Sequence, residues 1–224
     1  MSVRFRLALG GLGDDGRMGI DANAVLWSSS AKDRAGRPLL VLLHGYGSHE
    51  GDLFGMAPGL PLAPVVASVR APVAENGGWA WWSRRDSPTG NPPAERVDEA
   101  ADAVLAWLDT LEYTSVSLLG FSQGAALALQ LLRHAPERFT ATVAIAGFVA
   151  AGEHPGDAEL AVVRPAVFWG RGTEDAMIPA DAVARTAEWL PAHADATIRI
   201  YENLGHSISA PMLIDFVTFL REHP

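Results

Sequence analysis

Short, wholly apolar runs alternate along the chain with longer segments in which apolar residues recur at helical spacing. A short apolar run is typical of a strand that is covered on both faces of a parallel sheet. A segment with apolar residues along one side is typical of a helix that packs on such a sheet. The alternation predicts an α/β architecture, a mostly parallel central sheet with helices on both faces. The predicted strands are residues 39–43, 64–69, 115–119, 140–145, 166–169 and 197–201, and the predicted helices are residues 95–111, 123–134, 180–190 and 211–222.

The first part of the chain has a different pattern. Residues 3–9 alternate apolar and polar side chains, which is typical of a half-buried edge strand. A loop rich in glycine and aspartate follows, and residues 22–28 form a second extended stretch, so an opening hairpin is predicted. Since no repeat and no change of composition marks a linker, we expect one domain over residues 1–224.

Composition and charge exclude several classes of function. The formal net charge of -9 argues against nucleic acid as a partner, because phosphate contacts need clustered lysine and arginine. The chain has no cysteine, which removes disulfides, thiolate metal sites and a cysteine nucleophile. Residues 1–13 lack the apolar core of a secretory signal, and no apolar run reaches membrane-spanning length. We therefore expect a cytoplasmic location and no insertion into membranes.

The pattern Gly-x-Ser-x-Gly stands between a predicted strand and a predicted helix, as Gly-Phe-Ser-Gln-Gly at residues 120–124. In this position it forms a tight turn that raises the serine hydroxyl above the edge of the sheet. The glycines are needed because the strand and helix backbones pass close to each other. The helix begins next to the serine, so its free N–H groups face a reacting carbonyl. Ser122 is the predicted nucleophile, the alternative being a tight turn without chemistry.

A serine hydroxyl needs a base, and the base needs an acid that orients it. Around such a turn the three residues follow one another as serine, acid and histidine. Asp175 lies in the loop after the predicted strand 166–169, and His206 lies in the loop after the strand 197–201. Each has a simpler interpretation: Asp175 as a cap of the next helix, His206 as a loop histidine. Because Asp175 and His206 follow Ser122 in the expected order and both lie at strand ends, Asp175 is the predicted acid and His206 the predicted base. Glu174 is the alternative acid.

An acyl-transfer site also needs two backbone N–H groups that stabilise the negative charge on the substrate oxygen. Gln123 follows the nucleophile and supplies one of these amides. The second comes from the loop after an earlier central strand, where the sequence is Leu-His-Gly-Tyr-Gly at residues 43–47. The Tyr46 N–H is the candidate.

These motifs together resemble the phospholipase/carboxylesterase family of α/β hydrolases, which includes acyl-protein thioesterases. The matching segments are Leu-Leu-His-Gly-Tyr-Gly at 42–47 with Glu50, Asp52 and Leu53, Gly-Phe-Ser-Gln-Gly-Ala-Ala at 120–126, Arg-Gly-Thr-Glu-Asp-Ala-Met-Ile-Pro at 171–179, and Gly-His-Ser-Ile at 205–208. The resemblance implies an α/β-hydrolase fold, a triad of Ser122, Asp175 and His206, and an oxyanion hole of the Tyr46 and Gln123 amides. It also implies a small-molecule ester as substrate, no cofactor, no metal, and a homodimer as a common assembly. Residues 79–83 resemble the family's tryptophan segment beside the acyl pocket, with extra tryptophan.

The connection between the predicted strands 140–145 and 166–169 is too short for the helical cap that other α/β hydrolases insert there. We therefore expect no large cap domain, an open and shallow site, and a preference for short- to medium-chain carboxylic esters. Trp82, Phe148 and Met177 are predicted to line the substrate pocket, and for each the simpler interpretation is core or loop packing.

Four other functions compete with that of an esterase. Gly-Leu-Gly-Asp-Asp-Gly at residues 11–16 has the spacing of a dinucleotide-binding turn, but two aspartates would repel a pyrophosphate and no helix is predicted to follow. A metal hydrolase lacks the ligand spacing His-Glu-x-x-His. A catalytically silent binding protein of the same fold would be expected to lack one of the three residues, and all are present. An acyl thioesterase or lysophospholipase of the same family uses the same acyl-enzyme and stays an alternative.

Overall fold

A computed structural model of the chain describes residues 18–61, 63–85 and 87–224. The described strands are β1 Leu26–Trp27, β2 Arg37–Leu43, β3 Val65–Val69, β4 Val73–Glu75, β5 Gly78–Ala80, β6 Tyr113–Phe121, β7 Phe139–Ile145, β8 Ala166–Gly172 and β9 Asp195–Tyr201. The main sheet has seven strands in the order β1-β3-β2-β6-β7-β8-β9. Strand β1 runs antiparallel to β3, and the other neighbouring pairs are parallel. The predicted mostly parallel sheet is confirmed.

Helices cover both faces of this sheet. They are α1 Gly51–Phe54, α2 Ala94–Leu108, α3 Gln123–His134, α4 Asp157–Val163, α5 Ala180–His193 and α6 Ala210–Glu222. Buried side chains of α2, α3, α4 and α5 share one hydrophobic cluster with the sheet, and those of α1 and α6 share the other. The sheet is therefore the middle of three layers, and none of the described helices is both long and apolar enough to cross a membrane.

The apolar run of β2 shows why such a strand needs cover on both sides. Val41 and Leu43 pack in the cluster under α3, whereas Leu40 and Leu42 pack in the cluster under α6. All four are at most 1 % exposed. Successive side chains of a strand point to opposite faces, so an unbroken apolar sequence becomes two buried rows, and each leucine contributes about 1.5–3 kcal/mol by burial.

Several elements differ from the sequence-based expectation. Residues 22–28 form a 3₁₀ turn at Ala22–Ala24 and then β1, which pairs with β3; residues 3–9 and 11–16 lie outside the described residues. Helix α2 ends at Leu108, three residues before the predicted end. The short helix α4 and the hairpin β4–β5 were not predicted; the hairpin turns at Asn76 and Gly77, which have φ values of 58° and 75°. Positive φ at both residues is the signature of an Asn-Gly hairpin turn, so the sequence carried this signal.

The parallel strands bring distant loops to one edge of the sheet. The loops after β2, β6, β8 and β9 all leave the carboxyl ends of strands that run in the same direction. Between Ile145 and Ala166 the chain contains only the seven-residue α4, so no cap domain stands in that connection. The carboxyl edge of the sheet is where open α/β sheets bind ligands.

Candidate active site

Ser122 lies between β6 and α3 in a strained backbone conformation. Its φ is 55° and its ψ is -115°, values that cost a non-glycine residue about 1–3 kcal/mol. A Cβ on Gly124 would lie 2.0 Å from the Leu43 carbonyl oxygen, and one on Gly120 would lie 2.3 Å from that of Gly124. Both glycines are thus required by the close approach of β2, β6 and α3, which fixes the raised position of the serine hydroxyl.

The structure brings Ser122 together with both predicted partners. The Ser122 Oγ is 2.9 Å from the His206 Nε2, and the His206 Nδ1 is 2.8 Å from the Asp175 Oδ2. A carboxylate only accepts hydrogen bonds, so Nδ1 carries the imidazole proton and Nε2 offers a lone pair to the serine hydroxyl. The Phe121 ring packs on the imidazole at 5.0 Å between ring centroids. This is the geometry in which an imidazole can take the serine proton.

Backbone amides hold the Asp175 carboxylate. Its side chain is only 2 % exposed, and its Oδ1 accepts the N–H groups of Met177 and Ile178 at 2.9 and 3.3 Å. The carboxylate therefore stabilises the start of the turn before α5 with one oxygen and orients His206 with the other. The rival acid, Glu174, has an exposed side chain, and within the described part of the chain its one hydrogen bond is from its backbone N–H to the Leu204 carbonyl.

Tyr46 and Gln123, whose amides are the predicted oxyanion hole, both line the space beside Ser122. Among the described residues, neither N–H has a hydrogen-bond acceptor, so both are free to donate to a substrate oxygen. The Tyr46 phenol donates to the Glu75 Oε1 at 2.9 Å, which ties the loop after β2 to the β4–β5 hairpin.

The buried side chain of His44 holds the loop after β2 in place. Its side chain is fully buried; its Nδ1–H donates to the Gly45 carbonyl at 2.8 Å, and its Nε2 accepts the Ala71 N–H at 3.1 Å. Burial lowers the pKa of His44 below its ordinary value, so the ring is neutral at pH 7. In the sequence, His44 stood out only as part of the segment that resembles the family. The role of its side chain became visible only in the folded structure.

The Gln123 side chain has a second function that the sequence did not reveal. Its Oε1 accepts the Trp81 N–H at 2.9 Å, and its Nε2 donates to the Trp82 carbonyl at 2.8 Å. The Trp81 indole in turn donates to the His44 carbonyl at 2.8 Å. These bonds fasten the tryptophan segment to the residue that follows the nucleophile, and thereby place the Trp82 side chain beside Ser122.

The cavity beside Ser122 is small, about 30 Å³. Trp82 and Phe148, which were predicted to line a substrate pocket, both border this space and are at most 4 % exposed. The Met177 side chain is half exposed and is not among the described residues that line this space, whereas its neighbour Ile178 is. The other lining residues, which the sequence did not indicate, are Arg84, Ser87, Pro88 and Thr89.

A larger cavity of about 330 Å³ lies at the opposite edge of the sheet. Its lining residues include Arg37 and Tyr113, the first residues of β2 and β6, and Trp27, the last residue of β1. None of its described lining residues pairs a serine or threonine hydroxyl with a histidine, so size alone does not identify the reactive site.

Asp98, His134 and His154 form a second cluster with ligand atoms within 4.8 Å of one another. The His134 Nε2 lies 2.9 Å from the Asp98 Oδ1 and its Nδ1 lies 3.2 Å from the Asp102 Oδ1, which joins α2 to α3. The His154 Nδ1 accepts the Gly156 N–H at 3.1 Å, so its proton lies on Nε2, the atom that would have to bind a metal. The cluster therefore fits a helix–helix contact better than a cation site.

Known proteins resemble this chain over most of its length. A family model described as Phospholipase/Carboxylesterase matches residues 28–224. Esterase YpfH of Escherichia coli K12 is 29 % identical over 194 residues, 79 % of this chain and 78 % of that protein. Acyl-protein thioesterase 1 of Kluyveromyces lactis is 26 % identical over 221 residues, 88 % of this chain and 96 % of that protein.

A solved structure shares the fold. The crystal structure of esterase PE8 superimposes with a TM-score of 0.72 and 25 % identity, covering 93 % of this chain and 100 % of that one. The predicted α/β-hydrolase fold is thus confirmed. Since the family model matches nearly the whole chain, the chain belongs to the phospholipase/carboxylesterase family of carboxylic ester hydrolases.

Proposed function

We propose that this protein is a serine carboxylesterase that hydrolyses short- to medium-chain carboxylic esters through an acyl-enzyme on Ser122. The observation that carries the proposal is the continuous hydrogen-bonded chain from Ser122 through His206 to Asp175, with distances of 2.9 and 2.8 Å. Ser122 lies on a strained turn at the carboxyl edge of the sheet, and Tyr46 and Gln123, the residues proposed to donate their amides, line the same space. This arrangement has the parts that acyl transfer requires.

The first half of the reaction forms the acyl-enzyme. The His206 Nε2 takes the hydroxyl proton while the Ser122 Oγ attacks the ester carbonyl. The Tyr46 and Gln123 amides donate to the oxygen that becomes negative, and a donor in such a position accelerates acyl transfer about 10²–10³-fold. When the tetrahedral intermediate collapses, the bond to the alcohol oxygen breaks, and the imidazolium gives its proton to the departing alkoxide.

The second half releases the acid. The His206 imidazole, neutral again, removes a proton from a water molecule that attacks the acyl carbonyl. The same amides hold the second oxyanion, and the proton returns to the Ser122 Oγ as the acyl bond breaks. Asp175 remains ionised throughout and stabilises the imidazolium that forms in each half-reaction.

The size of the free space supports the preference for short acyl groups. The cavity beside Ser122 is about 30 Å³ and has Trp82, Phe148 and Pro88 among its lining residues, so it offers little enclosed room for a long acyl chain. The connection between β7 and β8 adds no apolar cap that could cover a long chain. We therefore expect the specificity constant kcat/KM to fall as the acyl chain lengthens.

Hydrolysis of p-nitrophenyl esters from acetate to laurate, by the wild type and by Ser122→Ala, tests this proposal. We expect the wild type to hydrolyse acetate and butyrate esters, and the variant to lose at least about 10³-fold in kcat. Equal activity of both proteins would mean that another residue is the nucleophile. Activity on laurate with none on acetate or butyrate would contradict the chain-length preference.

A thioesterase is the second candidate, favoured by one observation. The relative named acyl-protein thioesterase 1 aligns over 96 % of its own length, so its similarity covers the whole fold. Both activities use the same acyl-enzyme and differ in the leaving group. Comparing kcat/KM for butyryl esters and butyryl thioesters with leaving groups of matched pKa separates the two activities.

The cytoplasmic location and the formation of a homodimer stay predictions.

A further inference from the structure

Two segments that are far apart in the sequence both line the space beside Ser122. One contains Pro88 and Thr89, in the loop before α2, and the other contains Phe148, in the loop after β7. Neither segment belongs to a helix or strand at these positions. Their separation, and with it the room for an acyl group, must therefore be set by contacts with other elements.

Helix α5 contacts both segments through one side chain. The Arg185 Nη2 donates to the Gly90 carbonyl at 2.5 Å, directly after Thr89. The Nε of the same guanidinium donates to the Val149 carbonyl at 3.0 Å, directly after Phe148. One planar, charged group thus spans two loops, and hydrogen bonds from a charged donor are about twice as strong as neutral ones.

The packing around Arg185 reinforces both contacts. A Cβ on Gly90 would lie 2.9 Å from the Ala182 Cβ and 2.9 Å from the Pro179 Cδ, so this loop rests directly on the start of α5. On the other side, the Val149 N–H donates to the Thr186 Oγ1 at 2.9 Å. The two loops are therefore seated on one rigid helix, and Arg185 joins them to each other.

We propose that Arg185 is a specificity-determining residue that limits the length of the acyl group by holding the Thr89–Gly90 and Phe148–Val149 backbones at a fixed separation. The inference rests on the proposed function, because it takes the space beside Ser122 as the acyl site. Arg185 touches no reacting atom; it is a positioning residue. When its two hydrogen bonds are removed, the loops can separate and a longer acyl chain can enter between Pro88 and Phe148.

Replacing Arg185 by methionine removes both hydrogen bonds and keeps an unbranched apolar stem of similar length. We expect kcat/KM for p-nitrophenyl laurate, divided by kcat/KM for the butyrate ester, to rise about tenfold or more, because two charge-assisted bonds no longer oppose separation of the loops. The butyrate rate itself should change by less than about threefold, since Ser122, His206 and Asp175 keep their contacts. Arg185→Lys keeps the charge but not the fork of donors, and should give an intermediate ratio.

The chain offers a matched control. The Arg164 guanidinium also donates hydrogen bonds to backbone carbonyls, those of Pro191 and Ala194. Arg164 lies just before β8, at the edge of the sheet opposite to Ser122. Arg164→Met should lower the melting temperature Tm without changing the laurate-to-butyrate ratio.

The outcomes separate this inference from the proposed function. If Arg185→Met lowers all esters by the same factor, or leaves the ratio of the wild type, the positioning role of Arg185 is wrong while the Ser122 mechanism stands. If the wild type hydrolyses no ester, or Ser122→Ala keeps the activity, the proposed function fails and this inference fails with it. If Arg185→Met does not fold, the Arg185→Lys ratio decides, and a ratio equal to that of the wild type overturns the inference.

Discussion

Asp175 shows how much of the candidate chemistry depends on one buried side chain. Two backbone amides hold one of its oxygens, and the His206 imidazole binds the other. A carboxylate in this position keeps the imidazole proton on Nδ1, so the lone pair of Nε2 faces the serine. An amide in its place could present an N–H to the imidazole and reverse the tautomer.

We therefore expect Asp175→Asn to lower kcat for p-nitrophenyl butyrate by about 10³–10⁴-fold, as the corresponding change does in serine proteases. The KM should change little, because Asp175 does not touch the substrate. Glu174→Gln is the matched control, a neighbouring acid with an exposed side chain, and should keep nearly full activity. A large loss in Glu174→Gln with little loss in Asp175→Asn would mean that the acid is Glu174.

His44 predicts a pH dependence of stability. Burial is the main reason why its pKa in the folded protein lies below the ordinary value of 6.5. Between these two pKa values the unfolded chain binds a proton that the folded protein does not, so stability is full above about pH 6.5 and falls as the pH decreases. One such histidine contributes a slope of at most about 1.4 kcal/mol per pH unit.

Urea unfolding at about pH 7 and about pH 5.5 measures this effect. The free energy of unfolding of the wild type should be lower at the acidic pH, and His44→Asn, although less stable at both, should show a smaller difference. The pKa values of Glu50 and Glu75 are lowered, so these two groups change the stability only below their ordinary pKa of 4.5. They do not contribute to the difference between about pH 7 and about pH 5.5. An unchanged difference in His44→Asn would show that another group is responsible.

At the scale of elements, the turn between β6 and α3 depends on the absence of two side chains. The Leu43 carbonyl of β2 lies so near Gly124 that any Cβ there would overlap a backbone atom. Backbone in the centre of a sheet cannot move aside as the end of a flexible side chain can. The first turn of α3 and the position of Ser122 are therefore coupled to β2.

Gly124→Ala should lower the free energy of unfolding by about 3 kcal/mol or more, the upper part of the range for overpacked sites. Ester hydrolysis should fall as well, because α3 has to move away from β2 and carries the Gln123 amide with it. Gly59→Ala is the control, since a Cβ at Gly59 meets nothing within 4 Å. Chemical denaturation of both variants would detect the difference, and equal stability would contradict the coupling.

The sequence predicted those elements whose apolar pattern is long or unbroken. Helix α3 was predicted with its observed bounds, because Ser122 and Pro136 flank a continuous helical run. Helix α4 was missed, since its seven residues bury only Leu160 and give no period. The sequence indicated Met177 and not Ile178 beside Ser122, because a loop has no periodicity that says which of two neighbours points inward.

The contacts of Arg185 could not be predicted at all. Its partner Gly90 is 95 residues away in the sequence, and hydrogen bonds to backbone carbonyls leave no trace in residue type. By contrast, Ser122, Asp175 and His206 were predicted because their types, order and places at strand ends are each restricted by the chemistry. Sequence thus indicates reactive groups better than it indicates the groups that set their surroundings.

On the scale of the whole molecule, the parallel sheet brings together side chains from loops that are far apart in the sequence. Ser122 and His206 are 84 residues apart, yet they are joined by a hydrogen bond. The reaction proposed for it uses only side chains and backbone amides. Hydrolysis should therefore survive dialysis against a chelator, and it should also survive thiol alkylation, because the chain has no cysteine. A loss of activity on chelation that zinc or another divalent metal restores would contradict a mechanism carried by these residues alone.

The most direct test of the central claim is to trap the nucleophile. A p-nitrophenyl ester of a short alkylphosphonate should release one equivalent of p-nitrophenolate per protein chain, because the phosphonyl group is not hydrolysed from an activated serine at a comparable rate. Mass spectrometry of the digested protein should then find the phosphonyl group on the peptide that contains Ser122, and Ser122→Ala should give neither release nor label. Label on a different residue, or continued ester hydrolysis by a fully labelled protein, would contradict the assignment of Ser122.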